Sequence, residues 1–214
     1  LVDLTDLNKK YGWDQKAVAT AFQWYGWYPN QAAGKQLGLP WGGDLFILHY
    51  RTDALQQAGL SVPKTYDDLL KAAQKLNGLQ VGGKPLVGFV PRTSRALTYT
   101  WWASFFGAWG GDWFTADWKP AVNSPEGVAS LDYANQLVKL GPPNASNLGF
   151  ADINKMWTSG DAALTIHYPV TATIAQQQAS AVTGKIATAA LPSRQPASGH
   201  WRPGARHLQS QQEP

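Results

Sequence analysis

The feature that most constrains this chain is an alternation. From residue 45 onward, short apolar runs trade places with helix-patterned stretches that carry their own start and stop signals. Leu45-Phe46-Ile47-Leu48-His49-Tyr50 is compact and mostly apolar, which predicts a buried strand. Residues 86–90, 162–166 and 186–191 repeat that signature. Between them, residues 52–58 read as a short helix closed by Gly59. Thr65 is a good N-cap with Asp67 and Asp68 in the turn behind it, and Tyr66, Leu69, Leu70, Ala73 and Leu76 make one apolar face. Gly78 stops that helix and Gly82-Gly83 makes a turn. Residues 95–109 form a bulky apolar helix candidate ending at Gly110-Gly111. Ser124-Pro125-Glu126 combines an N-cap, Pro at the first helical position and an early acid. Val128, Leu131, Ala134 and Val138 line one face behind it, and Gly141-Pro142-Pro143 ends the helix. A helix over residues 150–158, a turn at Ser159-Gly160-Asp161 and a helix from Pro169 to about Gln178 complete the pattern. Strands alternating with helices predict an α/β or mixed sheet with helices packed on its faces.

The flanks differ. Leu1, Leu4 and Leu7 lie at helical spacing, with Asp3 and Asp6 suited to an early turn. Phe22-Gln23-Trp24-Tyr25-Gly26-Trp27-Tyr28-Pro29 is an aromatic run broken by Gly and ended by Pro, and residues 34–43 are turn-rich. From Ser193 to Pro214 there is no apolar periodicity. This segment is rich in Gln, Arg, Pro and Ser and reads as an irregular or disordered tail.

Composition excludes several classes. The 214 residues are 44% hydrophobic and 15% charged, enough apolar material for a sizeable core and too little charge for a disordered chain. Cysteine is absent, so disulfides and thiolate metal sites are excluded. The formal charge of +4 comes without a basic stripe, which argues against nucleic acid as a partner. No apolar run reaches the roughly 18 residues of a spanning helix. The sequence opens at Leu1 with Met156 as its one methionine, so a processed, trimmed or incomplete start is expected. Eleven tryptophans are the compositional anomaly.

In open α/β sheets ligands gather beyond the carboxyl ends of the strands. That rule selects Pro91-Arg92-Thr93-Ser94 after one strand and His167-Tyr168-Pro169 after another. Trp41-Gly42-Gly43-Asp44, on the approach to Leu45, is a weaker third place because it precedes a strand.

These residues also carry a resemblance. The run from Gly38-Leu39-Pro40-Trp41-Gly42-Gly43-Asp44 through Leu45-Phe46-Ile47-Leu48-His49-Tyr50-Arg51-Thr52-Asp53-Ala54-Leu55 resembles the crossover of extracellular (family 1) solute-binding proteins of bacterial sugar ABC importers. Ala58-Gly59-Leu60, Pro63-Lys64-Thr65-Tyr66-Asp67-Asp68-Leu69, Gly110-Gly111-Asp112-Trp113-Phe114, Asn123-Ser124-Pro125-Glu126-Gly127-Val128 and Trp157-Thr158-Ser159-Gly160-Asp161-Ala162-Ala163-Leu164 continue it in the same order. The maltose-binding protein is a better-known member of this broad group. The resemblance implies a periplasmic-binding-protein-like (type II) two-lobe fold, incomplete, with one lobe nearly whole. Residues 1–50 would be a partial N-terminal lobe with the crossover strand, 51–192 the C-terminal lobe, and 193–214 the tail. It implies a truncated chain, with a frame change near Ser193 as one origin of the tail. It further implies a periplasmic or extracellular monomer that binds a mono- or oligosaccharide, docks on membrane permease subunits and uses no cofactor. With most of one lobe absent, little sugar affinity is expected.

Sugars present C–H faces, which aromatic rings cover, and hydroxyl rims, which carboxylates, amides and Arg take. The ligand-binding candidates are Trp41, Asp44, Arg92, Trp101, Trp102, His167 and Tyr168. Each has a plainer alternative. A Trp also fills cores. Asp44 also suits a solvated turn, and Arg92 a surface salt bridge. His167 and Tyr168 could simply close a turn. Trp101 and Trp102 are adjacent on a helix and point in different directions, so one packs while the other is free to face a cleft. Catalysis is poorly supported, because a glycosidase needs two carboxylates about 5–9.5 Å apart. Asp112 and Asp117, the candidates for a carbohydrate-active enzyme, sit in a Gly/Trp-rich loop without a convincing pairing. No nucleophile elbow, phosphate loop or metal-ligand spacing occurs. Asn144-Ala145-Ser146 matches a glycosylation acceptor, a motif short enough to arise by chance.

Overall fold

The computed structural model describes residues 3–12, 45–95, 97–115, 117, 119–177 and 180–194. The aromatic run at 22–29, the turn-rich segment containing Trp41 and Asp44, and the tail beyond Arg194 lie outside the described residues. The chain divides into two units, Leu1–Asp44 and Leu45–Pro214. In the first, helix α1 (Thr5–Tyr11) begins where the Asp3 carboxylate accepts the Thr5 N–H at 3.0 Å.

The larger unit is built on strand β1 (Ile47–Arg51). It pairs antiparallel with β4 (Leu164–His167) on one side and with β5 (Ile186–Ala189) on the other. Residues 87–90 run beside the outer edge of β4 as extended chain. Val87 bridges Ala162 in parallel, and the Val90 N–H donates to the Leu164 carbonyl. The strand expected at 86–90 is therefore present as an extended segment with sparse pairing. Because β1 is the central strand of this sheet, it groups with the larger unit, whereas the sequence reading placed the boundary after Tyr50.

Strand residues alternate between faces. Leu48 faces Ile166 and Ala189 across the ladders, and Tyr50 faces Leu164 and Ala187. This apolar face is covered by α3 (Tyr66–Leu76), α4 (Thr98–Phe106) and α5 (Pro125–Val138), which contribute Leu69, Ala73, Leu76, Trp101, Phe105, Tyr133 and Leu137 to one core cluster. On the opposite face His49 lies opposite Thr165, and Ile47 opposite His167. That face is also buried, beside a second cluster to which α6 (Phe150–Thr158) and α7 (Val170–Ala175) give Ile153, Trp157 and Ala175. The unit is thus three layers, with a mixed sheet between two sets of helices.

Local chemistry sets the elements. α2 (Thr52–Gln57) leaves β1 directly. Thr65 caps α3 through the Asp68 N–H while Asp68 accepts the Thr65 N–H, a reciprocal box. Gly82 and Gly83 have φ of 61° and 82°, which the tight turn between β2 (Gln80–Val81) and β3 (Lys84–Pro85) requires. Ser124 caps α5 through the Gly127 N–H, with Pro125 at the first helical position. The helix expected at 95–109 is shorter, Thr98–Phe106 followed by a 3-10 turn over Gly107–Trp109. The expected tail starts in order: the Ser193 N–H donates to Lys64 O, the Tyr66 N–H donates to Ser193 O, and the Arg194 guanidinium lies 5.5 Å from the Trp109 ring centroid. No helix of the described residues is long and apolar enough to cross a membrane.

Candidate functional site

Three segments meet at one end of the sheet: the carboxyl end of β4, the parallel segment ending at Val90, and the residue before β1. They bring together His167 and Tyr168, Arg92, and Phe46. Phe46 and Tyr168 stack with centroids 4.8 Å apart and planes within 14°. The Arg92 guanidinium lies 4.6 Å from the Tyr168 centroid and 5.8 Å from that of Phe46. The His167 ring is 5.2 Å from Tyr168 and 5.4 Å from Phe150, which opens α6.

Arg92 sits in a loop tied down by its neighbour Thr93. The Thr93 N–H donates to Leu148 O, and the Leu148 N–H donates back to Thr93 Oγ1. The Thr93 hydroxyl itself donates to the Ala145 carbonyl. Arg92 is only 3% exposed, yet its Nε and Nη1 have no hydrogen-bond partner and no carboxylate pairs with it among the described residues. The alternative of a surface salt bridge is overturned by that burial. Arg51 shows what a satisfied buried arginine looks like here. It makes a bidentate pair with Asp53 at 2.8 and 2.7 Å, and its Nη1 donates to Gly160 O at 2.8 Å. Burial alone would raise the Asp53 carboxyl, but the Arg51 hydrogen bonds and charge more than offset it, holding the group below the usual carboxylate range.

His167 is fully buried, and its Nδ1 lies 2.7 Å from Thr171 Oγ1. The Thr171 hydroxyl donates to Asn154 Oδ1 at 3.0 Å. Burial first, then the Arg92 charge and His49, push the His167 imidazole down to about 3, so it is neutral at pH 7. His49, opposite Thr165 on the same buried face, lies 3.2 Å by its Nε2 from the His167 carbonyl. A carbonyl only accepts, so that His49 nitrogen carries the proton. Burial also lowers the His49 pKa.

The two helical tryptophans go elsewhere. Trp101 is 1% exposed and packs edge-on against Phe105 at 4.9 Å and near Phe89 at 6.1 Å, so it belongs to the core. Trp102 is half-buried and donates its indole N–H to Ser130 Oγ at 3.0 Å, joining α4 to α5 beside Trp113. The acids of the enzyme reading lie on an exposed loop. Asp117 is engaged by Lys119 at 2.7 Å and by Thr115. The Lys119 contact, with the Thr115 hydroxyl, keeps its carboxyl below the ordinary value. Trp41 and Asp44 lie outside the described residues. Sequence reasoning missed Phe46, Phe150, Asn154 and Thr171. Thr171 stands four residues after His167, a spacing that could have been tested, whereas Asn154 had no local signal.

This end-of-sheet cluster is where an open α/β fold takes ligands, and comparison with known proteins agrees with that architecture. The family model for bacterial extracellular solute-binding proteins matches residues 1–205. The chain belongs to that family. A probable ABC transporter-binding protein of Deinococcus radiodurans is 32% identical over 174 residues, 77% of this chain and 40% of that protein. The mannitol-binding protein of Pseudomonas aeruginosa is 32% identical over 143 residues, 62% of this chain and 31% of its own length. Among solved structures, an ABC transporter solute-binding protein of Agrobacterium radiobacter K84 in complex with ribitol matches with a TM-score of 0.68 at 31% identity, covering 90% of this chain and 48% of that one. The chain thus spans less than half the length of these relatives, and carries part of the type II periplasmic-binding-protein fold.

Proposed function

We propose that this chain is part of the carbohydrate-binding subunit of an ABC importer, which captures a sugar or sugar alcohol between two lobes and delivers it to the membrane permease. The larger unit would be the second lobe and Leu1–Asp44 a portion of the first. One observation carries the reading: a buried guanidinium, with two nitrogens that have no partner among the described residues, stands against a stacked pair of rings at the carboxyl end of the sheet. Such donors suit hydroxyl oxygens, and such rings suit the C–H face of a sugar. The residues proposed to touch ligand are Arg92, Tyr168 and His167, joined by Phe46 and Phe150. Mannitol and ribitol are the first ligands to try, because relatives are named for or solved with them. An enzymatic reading gains nothing from Asp117, which an exposed lysine already engages.

The test is a titration of the chain with mannitol, ribitol and maltose, followed by amide chemical shifts. Shifts at residues 91–94 and 167–171 are the expected outcome, with weak affinity because one unit carries the described site. Shifts confined to other regions, or none at millimolar ligand, would sink the reading.

A further inference from the structure

Two hydrogen-bond directions in the buried layer behind Arg92 decide the tautomer of His167. The Thr171 hydroxyl has one proton, and it goes to Asn154 Oδ1 at 3.0 Å. Thr171 Oγ1 therefore acts as acceptor toward His167 Nδ1, 2.7 Å away, and His167 Nδ1 carries the hydrogen. In a neutral imidazole the other nitrogen is then a bare lone pair. That nitrogen, Nε2, is buried and has no partner among the described residues. The Arg92 guanidinium, with Nε and Nη1 unpaired among the described residues, packs against the same two rings as the His167 imidazole, those of Tyr168 and Phe46. A buried acceptor and buried donors left open against the same rings are costly unless something fills them.

We propose that His167 Nε2 and the Arg92 guanidinium form a paired acceptor-and-donor cradle for neighbouring hydroxyls of an uncharged polyol, with Asn154 and Thr171 as positioning residues that hold His167 in its acceptor tautomer. A hydroxyl donates and accepts at once, so a polyol supplies a donor for His167 from one carbon and an acceptor for Arg92 from the next. A carboxylate satisfies only the arginine and sets its lone pairs against Nε2. Phe46, Tyr168 and Phe150 ring the imidazole and are partly exposed while it is not, Phe150 being 39% exposed. Ligand reaches Nε2 by displacing one of those rings. The proposal rests on the carbohydrate-binding reading and assigns the chemistry of its polar centre.

Nitrogen-15 correlation spectra of the imidazole rings at neutral pH provide the test, with mannitol as probe. The expected spectrum shows His167 protonated at Nδ1, and a Nε2 resonance that moves when mannitol is added at millimolar concentration. Thr171→Val is expected to redistribute the tautomers and weaken mannitol binding about tenfold, while amide shifts in β1 and β5 stay in place to report intact folding. His167→Gln, which keeps an acceptor and donor, is expected to bind better than His167→Phe. A proton on Nε2 in the unliganded chain would overturn the proposal, as would mannitol binding that leaves Nε2 unmoved or survives Thr171→Val unchanged. In those cases the carbohydrate reading would still stand. Silence of every resonance toward mannitol and ribitol would overturn both.

Discussion

Arg92 is the residue on which the ligand reading turns, because its environment resists a purely structural explanation. Arg51 is equally buried and fully paired, whereas Arg92 Nε and Nη1, against aromatic rings, have no partner among the described residues. Arg92→Met retains the aliphatic stem and removes the charge. Lost attraction to Tyr168 and relief of a desolvated cation oppose each other, so stability should change by less than about 1 kcal/mol. Polyol binding should fall at least about tenfold, and thermal melts beside titrations check both halves. His167 makes a second prediction. Its pKa is about 3 in the folded chain and 6.5 in the unfolded one, so the unfolded state takes up the proton first as pH falls. The stability it contributes is complete above about pH 6.5 and declines by about 1.4 kcal/mol per pH unit toward 3. His49 acts in the same direction. Urea unfolding at pH 7 and pH 5 should differ by about 2 kcal/mol from His167 alone, and equal stabilities would contradict the burial argument. That Arg92, His167 and Tyr168 gather at one end of the sheet was legible in the sequence, because they follow strands. Their partners were not, since Asn154 reaches Thr171 only after α6 and α7 pack together.

At the scale of elements, signals contained within a few residues read correctly. Thr65 with Asp68, Ser124 with Pro125, and Gly82-Gly83 each specify a cap or turn through neighbours in the chain, and each appears in the structure. The segment 86–90 was legible as extended chain but not as to what it touches. A Cβ on Gly88 would stand 2.1 Å from the Ala73 carbonyl oxygen and 2.9 Å from Asn77 Cβ, so α3 lies directly against this backbone. The Gly88 N–H also donates to Asn77 Oδ1 at 3.0 Å. Gly88→Ala should destabilise by about 2–3 kcal/mol, read by chemical denaturation, as expected when a close-packed contact must open. A loss below about 0.5 kcal/mol would mean that α3 moves freely over the segment. Trp101 shows the same limit of local reading, for the sequence put two rings on one helix and only packing decides which meets Phe89.

At the scale of the molecule, both buried clusters and the three-stranded sheet of the described residues are drawn from positions after Asp44. A chain beginning at Leu45 should therefore melt in one cooperative transition, within a few degrees of the full chain. Gradual, non-cooperative melting in circular dichroism would show that residues 1–44 complete the core. The sequence by itself determined the alternation of strands and helices, their caps and turns, and so the α/β class. Those properties arise from contacts between near neighbours, which a linear pattern records. Tertiary structure alone decided that the polar stripe His49, Thr165 and His167 lies under helices rather than in water. It also decided that Phe46 meets Tyr168 and that Arg92 Nε and Nη1 find no partner among the described residues. A period of two says that faces differ. Which face is covered, and by what, depends on helices spread along the chain from Tyr66 to Ala175, which reach β1 only through the fold.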